Sequence, residues 1–342
     1  MSNKAYLPAE WHEQEFVQLT WPHENSDWAY MLQEVEECFT ELAKAISLRE
    51  KLLIVTPNKE KTAETLQKAG ATMENITFFT CETNDTWARD HAFITLFGEE
   101  QPCYLDFCFN GWGKKFEASL DNAINKKLFD AGIVKGEYRD MNDFVLEGGS
   151  IESDGEGTVL TTTCCLTAPN RNLTDREYLD KELCERLGCE RVLWLDYGEL
   201  VGDDTDGHID TLARLTPNNT IVYMQYDTED KEQYDCLKKM EEQLATFRTK
   251  EGNPYRLLPL PSPSPIYDED GERLPATYAN FLIMNNAVLY PTYAQPANDA
   301  LAAEVLQKAF PAYEIVGIDC RALIKQHGSL HCVTMQYPLF KK

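Results

Sequence analysis

Across residues 28–48, Leu32, Val35, Phe39, Leu42 and Ile46 recur at intervals of three and four with Glu and Lys between them, the signature of one helical face. The four-residue run Leu52–Val55 that follows reads as a buried strand. Asn58 to Ala69 is a second helix, opened by an Asn cap and closed at Gly70, and Ile76–Phe79 is a second strand. The alternation continues down the chain. Helices are expected at about 118–131, after a capping box at Thr174–Glu177 and ending at Gly188, at about 229–247, and at about 297–309 before Pro311. Strands are expected at Thr158–Thr162, Val192–Leu195, Ile221–Met224 and Glu314–Ile318, with a last one at about His331–Gln336. Asn280–Asn285 and Ala287–Tyr290 read as two strands joined by an Asn-Asn turn. Helices and strands interleave to the end, which places the chain among the α/β or α+β proteins.

The stretch Pro259–Gly271 carries four prolines and breaks this rhythm, so no regular element is expected there. Because the same alternation runs on both sides, it reads as a long functional loop within one domain spanning 1–342 rather than as a domain linker. Five distinctive blocks, near Asp90, Glu147, His208, Asn280 and Cys332, lie roughly 50 to 70 residues apart and hint at repeated supersecondary units.

Charge narrows the choice of partner. With 57 acidic against 32 basic residues the formal charge is −25, which disfavours nucleic acid and anionic membrane surfaces and suits a small cation. The same acidity also serves solubility alone. The chain of 342 residues, 43% apolar, has enough material for a sizeable core. No apolar run approaches the length of a membrane span, and Met1–Pro8 lacks a signal core. The 11 cysteines form no CxxC pair, which argues against zinc-ribbon and thioredoxin readings and for reduced thiols in the cytoplasm.

Four blocks could carry chemistry. In Asn84–His91, Trp87 beside Asp90 suits a planar cation, which an aromatic face attracts and a carboxylate hydrogen-bonds; a salt-bridged turn fits the same residues. In Leu146–Ser150, Glu147 precedes two glycines, where a backbone can approach a ligand closely; an ordinary Gly-Gly turn fits equally. In Gly202–Asp210, acids crowd His208, and if Ile209 lies in a strand, His208 and Asp210 share a face, where the carboxylate can hold the imidazole protonated as a general acid. A metal site and a calcium-like acidic loop compete for that block. In Gly328–Thr334, Cys332 follows His331 at the start of a strand, as an activated thiol would, although most lone cysteines are buried and inert. Together a Cys, a His, several carboxylates and a Trp could hold and attack a guanidinium.

These blocks, with Phe109–Gly113, Asn170–Asn172, Tyr278–Phe281, Ala9–Trp11 and Thr20–His23, occur in the order seen in the agmatine deiminase family, which includes bacterial peptidyl-arginine deiminases of the non-calcium type. The resemblance runs from about residue 8 to 338. It implies a pentein fold, a five-bladed pseudo-symmetric α/β propeller of ββαβ units around a central site. It also implies Cys332 as nucleophile, His208 as general acid/base, Asp90 and Asp210 as the guanidinium grip, Glu147 as the residue orienting the His, and Trp87 beside the substrate. Asn280 is expected to line the pocket and Asp204 to pair with a distal amine. The substrate would be a cationic guanidine, agmatine first, with arginine and peptidyl-arginine as alternatives. No cofactor or metal is required, and a homo-oligomer is compatible with the sequence. A metal-dependent hydrolase built on the His208/Asp210 cluster is the alternative from another class. Gln326–Ser329 and His91–Phe93 depart from the family pattern; both are expected near the pocket, where they bear on which guanidine is taken.

Overall fold

The computed structural model describes residues 5–172 and 174–341, so Met1–Lys4, half of the segment scanned for a signal core, lie outside the described residues. The chain forms β1 (Gln14–Thr20), β2 (Lys51–Thr56), β3 (Ile76–Thr80), β4 (Ile94–Phe97), β5 (Pro102–Cys108), β6 (Glu137–Val145), β7 (Ile151–Ser153), β8 (Thr158–Thr162) and β9 (Arg191–Leu195). It continues with β10 (Ala213–Thr216), β11 (Thr220–Met224), β12 (Arg256–Leu260), β13 (Ile266–Tyr267), β14 (Arg273–Leu274), β15 (Leu282–Met284), β16 (Ala287–Thr292), β17 (Glu314–Asp319) and β18 (Thr334–Pro338).

Five sheets repeat one plan: β4-β5-β6, β7-β8-β9, β10-β11-β12, β15-β16-β17 and β18-β1-β2, the last extended by β3. In each, the first pair is antiparallel and the next parallel. A parallel neighbour requires a crossover, and helical turns supply it. They include Leu32–Ser47 before β2, Arg176–Leu187 before β9, Tyr234–Leu244 before β12 and Pro296–Ala309 before β17. The repeat is therefore ββαβ. The first sheet takes its antiparallel strand from the other end of the chain, Val17 pairing with Gln336 and Leu19 with Thr334.

Local sequence explains most elements. Val35, Phe39, Leu42 and Ile46 are fully buried along one face of the first helix. Asn58 Oδ1 accepts from the Lys61 amide, and Asp175, rather than Thr174, caps its helix by accepting from the Tyr178 amide. Four expectations need correction. The helix expected over 28–48 begins with a 3₁₀ turn, Asp27–Met31. The helix at 118–131 is two short ones, Ser119–Asn122 and Ile124–Asp130, and that at 229–247 is trimmed to Tyr234–Leu244. Pro259 and Leu260 end strand β12, which is tolerable because β12 lies at its sheet's edge, where a missing N–H breaks no ladder. Beyond it β13 and β14 form a small hairpin, so the proline-rich stretch is partly regular. No helix among the described residues is long and apolar enough to cross a membrane.

Candidate active site

Asp90, Glu147, His208, Asp210, Asn280 and Cys332 all sit in the short segments that lead into the first strand of a sheet: β4, β7, β10, β10, β15 and β18. The blocks found in the sequence are thus the same place in successive ββαβ units. His208 and Asp210 are not on a strand, as expected, but at a 3₁₀ turn, Ile209–Thr211. His331 and Cys332 likewise precede β18 rather than begin it. Tight turns carry these side chains inward while the strands behind them form the core.

The turns converge on Gly149. A Cβ added there would lie 2.6 Å from His208 Nδ1, 2.9 Å from Asp90 Oδ1 and 3.1 Å from Asp210 Oδ2. Only a residue without a side chain lets the imidazole and both carboxylates meet. The Gly149 amide donates to Asp90 Oδ1 at 3.0 Å, and Trp112 Nε1–H donates to Asp90 Oδ2 at 2.9 Å, so the carboxylate is fixed from both sides. Trp112 occupies a left-handed turn at φ 52°, between Gly111 and Gly113.

The second carboxylate is held differently. Asp210 Oδ2 lies 2.7 Å from Nδ1 of His331, and its Oδ1 is buried without a partner. The expectation that Asp210 serves His208 is corrected: the nearest carboxylate contact of His208 is Asp90 Oδ1 at 3.7 Å. Neither ring nitrogen of His208 has a hydrogen-bond partner within the protein. Glu147 is close to that ring, since one donor atom each of Glu147, Cys165 and His208 lie within 4.8 Å of one another. Glu147 Oε1 accepts from Arg171 Nε at 2.8 Å, leaving Oε2 buried and unpartnered.

Asn280 is buried beneath the His331–Cys332 segment rather than lining the pocket. Its Oδ1 accepts from the His331 amide at 2.8 Å and the Cys332 amide at 3.3 Å, and Cys332 Sγ lies 3.3 Å away. One amide oxygen therefore sets the position of the thiol.

Electrostatics oppose ionisation of the Cys332 thiol. Burial raises the Cys332 thiol well above its ordinary value, and the Asp210 and Asp90 charges push it further. His331 does not relieve this, because its ring faces Asp210 and Glu10. Burial also raises Asp90 and Glu147, with His208 and Arg171 acting against the rise. For Asp210 burial works upward, but the His331 hydrogen bond and charge outweigh it, and the net shift is downward.

A cavity of about 360 Å³ opens onto this cluster. Asp90 and Cys332 form part of its lining, with Trp87, Trp112 and Phe116. Its wall also carries Asp27, Asp85 and Asp204 against one cation, Lys325. Trp87 Nε1–H donates to Asp85 Oδ2 at 3.0 Å, and burial pushes the Asp85 carboxyl up to about 7. Asp204 lines the cavity, and Lys115 Nζ lies 3.7 Å from its Oδ1 and donates to Asp206 Oδ1 at 2.9 Å. Of the two departures from the family pattern, the Gln326–Gly328 loop lines the cavity, and a Cβ at Gly328 would come within 2.0 Å of the Trp87 ring. His91 does not reach the cavity; it is buried against Thr20 Oγ1 at 3.2 Å, and burial pulls its imidazole down to about 3.

The acids around His208 do not assemble as a ligand set. Asp203 accepts from Thr205 and the Gly207 amide, Asp206 from Lys115 and Arg171, and Asp210 pairs with His331. Among the described residues the two groups with metal-like spacing are Glu147–Cys165–His208 and Glu10–Glu152–His331. A guanidinium already sits in each, Arg171 on Glu147 and Arg214 on Glu10 and Glu152, where a divalent cation would be repelled. Asp85, Trp112 and Arg171 stand inside blocks that the sequence marks but carry no role on sequence grounds, and Asp27 and Lys325 stand outside those blocks. The Gly-Trp-Gly run is the available signal for Trp112; nothing local marks Asp27 or Lys325.

Comparison with known proteins completes the picture. Residues 6–338 match the family model for Porphyromonas-type peptidyl-arginine deiminase. A Legionella pneumophila protein provisionally named agmatine deiminase is 34% identical over 97% of this chain and 94% of its own. The crystal structure of a Porphyromonas gingivalis protein provisionally named arginine deiminase is 50% identical, with TM-score 0.93 over 98% of both chains. A cysteine-to-serine variant of C. jejuni agmatine deiminase with substrate bound is 41% identical, with TM-score 0.90 over 98% of this chain and 97% of the other. With the pentein fold of these relatives, the chain belongs to the Porphyromonas-type peptidyl-arginine deiminase family, hydrolases that act on the C–N bonds of linear amidines.

Proposed function

We propose that this protein is an agmatine deiminase, converting agmatine and water to N-carbamoylputrescine and ammonia. The observation that carries the choice is the sign of the pocket. Cys332 and Asp90 share a cavity whose wall bears three further carboxylates, Asp27, Asp85 and Asp204, and one lysine. A dication with a guanidinium at one end and an ammonium at the other suits such a wall better than a substrate bearing a carboxylate. The name of the C. jejuni relative agrees.

In this reading Asp90 and Asp210 accept N–H bonds from opposite edges of the guanidinium. Asp210 Oδ1, buried and unpartnered, is the oxygen available for it. The arriving cation cancels the two charges that suppress ionisation of Cys332, so the thiol loses its proton when substrate is present to be attacked. His208, with both nitrogens unpartnered, takes up that proton. The sulfur bonds to the central carbon, His208 protonates the leaving amine, and the C–N bond breaks to give ammonia and a thiouronium. His208 then removes a proton from water, which attacks the same carbon; the C–S bond breaks, the departing sulfur takes that proton back from His208, and the new hydroxyl gives up its proton to solvent as the ureido product leaves. Glu147 stabilises the imidazolium in both steps, and the chemistry calls for no cofactor. The experiment is Cys332→Ser: ammonia release should fall by at least about 10⁴-fold while agmatine binding remains measurable. A variant retaining ordinary turnover would refute the assignment.

A second reading has one observation in its favour. Lys325 on the cavity wall could pair with the carboxylate of free arginine, the substrate in the name of the P. gingivalis relative. Ammonia release measured in parallel on agmatine, arginine and arginine-ended peptides decides between the readings.

A further inference from the structure

The carboxylate cluster behind Asp210 extends to a residue from the opposite end of the chain. His331 Nδ1 lies 2.7 Å from Asp210 Oδ2, and its Nε2 lies 3.0 Å from Glu10 Oε2. Both ring nitrogens thus face carboxylate oxygens, and both contacts are satisfied only when the ring donates from both. Arg214, fully buried, is also 3.0 Å from Nε2, but its Nη2 has a better acceptor in Glu10 Oε2 at 2.6 Å. Glu10 is pinned in turn, because the Ile283 amide donates to its Oε1 at 2.9 Å. Arg214 is anchored on the far side by Glu152. The backbone of His331 is held by Asn280, so the ring can turn only about its own side-chain bonds, and Glu10 closes off that freedom.

We propose that Glu10 is a positioning residue for guanidinium binding. It acts through His331: by accepting from Nε2 it fixes the ring with an Nδ1 proton on Asp210 Oδ2. That proton occupies one oxygen of Asp210 and leaves Oδ1, which has no partner within the protein, available to the guanidinium. The inference rests on the deiminase reading, in which Asp210 grips the guanidinium, and it explains why residues at the two ends of the chain meet under the site. Without the Glu10 acceptor, the ring loses its anchor at Nε2 and can rotate about its side-chain bonds, and Asp210 loses its fixed orientation.

The experiment measures agmatine binding by calorimetry in the Cys332→Ser background, with the thermal midpoint of each variant. Glu10→Gln should weaken binding by about tenfold or more, and Glu10→Asp, which keeps the charge, should recover part of the loss. The same Glu10→Gln change added to Asp210→Asn should cost less than about twofold, because its effect runs through a carboxylate already removed. If agmatine binds Asp210→Asn too weakly to titrate, kcat/KM of the cysteine-containing variants gives the same comparison. A purely structural ion pair would weaken both backgrounds alike, and that result overturns the proposal, as does a Glu10→Gln variant that binds like its parent. Should Glu10→Gln fail to fold, Glu10→Asp decides, with parental affinity as the overturning result. Normal turnover by Cys332→Ser would instead sink the functional reading on which the experiment stands.

Discussion

Replacing Gly149 by Ala tests whether the site depends on a missing side chain. Gly149 does not occupy a left-handed backbone conformation, so Ala introduces no strain of that kind. The cost lies in where the methyl goes: 2.6 Å from His208 Nδ1, 2.9 Å from Asp90 Oδ1 and 3.1 Å from Asp210 Oδ2. Comfortable contact begins near about 3.5 Å, so the imidazole must retreat by up to about 0.9 Å and each carboxylate by about half that. A displacement of that size in a reacting group lowers turnover by about 100-fold, near 2.7 kcal/mol of lost transition-state stabilisation. Overpacking should cost only about 1–3 kcal/mol of stability, a fall of a few degrees in Tm for a chain of this length. Steady-state ammonia release and a melting curve on the same sample separate the two effects. Gly148→Ala is the contrast: its methyl would meet the Arg89 carbonyl oxygen at 2.2 Å, and backbone cannot step aside, so stability should suffer more. A Gly149→Ala enzyme within about threefold of the parent kcat/KM would refute the reasoning.

Other expectations follow from groups at the pocket and in the core. Burial pushes the Glu50 carboxyl up to about 7, above its ordinary 4.5, so the folded state prefers the neutral form. Its favourable contribution is full below the unfolded value and is lost as pH rises through about 7. Glu50→Gln should therefore raise Tm at pH 8 by several degrees and leave it nearly unchanged at pH 5, and equal effects at both pH values would contradict this. Lys115→Ala removes the cation beside Asp204 and should lower KM for agmatine by about two- to fivefold, modest because the pair is partly exposed; an unchanged or higher KM would count against an amine-binding Asp204. Arg171→Ala strands the buried Glu147 and should cost about 3–5 kcal/mol in urea unfolding, while a loss under 1 kcal/mol would show that the pair is dispensable.

Much of the fold was legible because period and punctuation agree. The helix face Val35–Phe39–Leu42–Ile46 and the Asn58 cap are local signals that the structure uses, whereas the capping box reads one residue early, at Thr174 in place of Asp175. The spacing of the five blocks was informative because each precedes the first strand of a ββαβ unit. Partner choice was not legible. Nothing near Asp210 reveals that its proton donor is His331, 121 positions away, or that Lys115 reaches Asp204. Pro259 misled because its meaning depends on whether its strand is central or at an edge, a tertiary fact. The turn at Ile209 misled because a one-residue spacing of polar side chains fits a strand and a 3₁₀ turn equally.

Strand β1 pairs on one side with β2, but on the other it awaits β18, more than three hundred residues further along. At ordinary rates of synthesis that wait lasts roughly fifteen seconds to a minute. For that interval the nascent polypeptide presents an unsatisfied row of amides and carbonyls, while Cys332, two residues before β18, has yet to be translated. The ribosome thus enforces a timetable: a standing invitation to mispair until the final strand arrives to complete the first sheet.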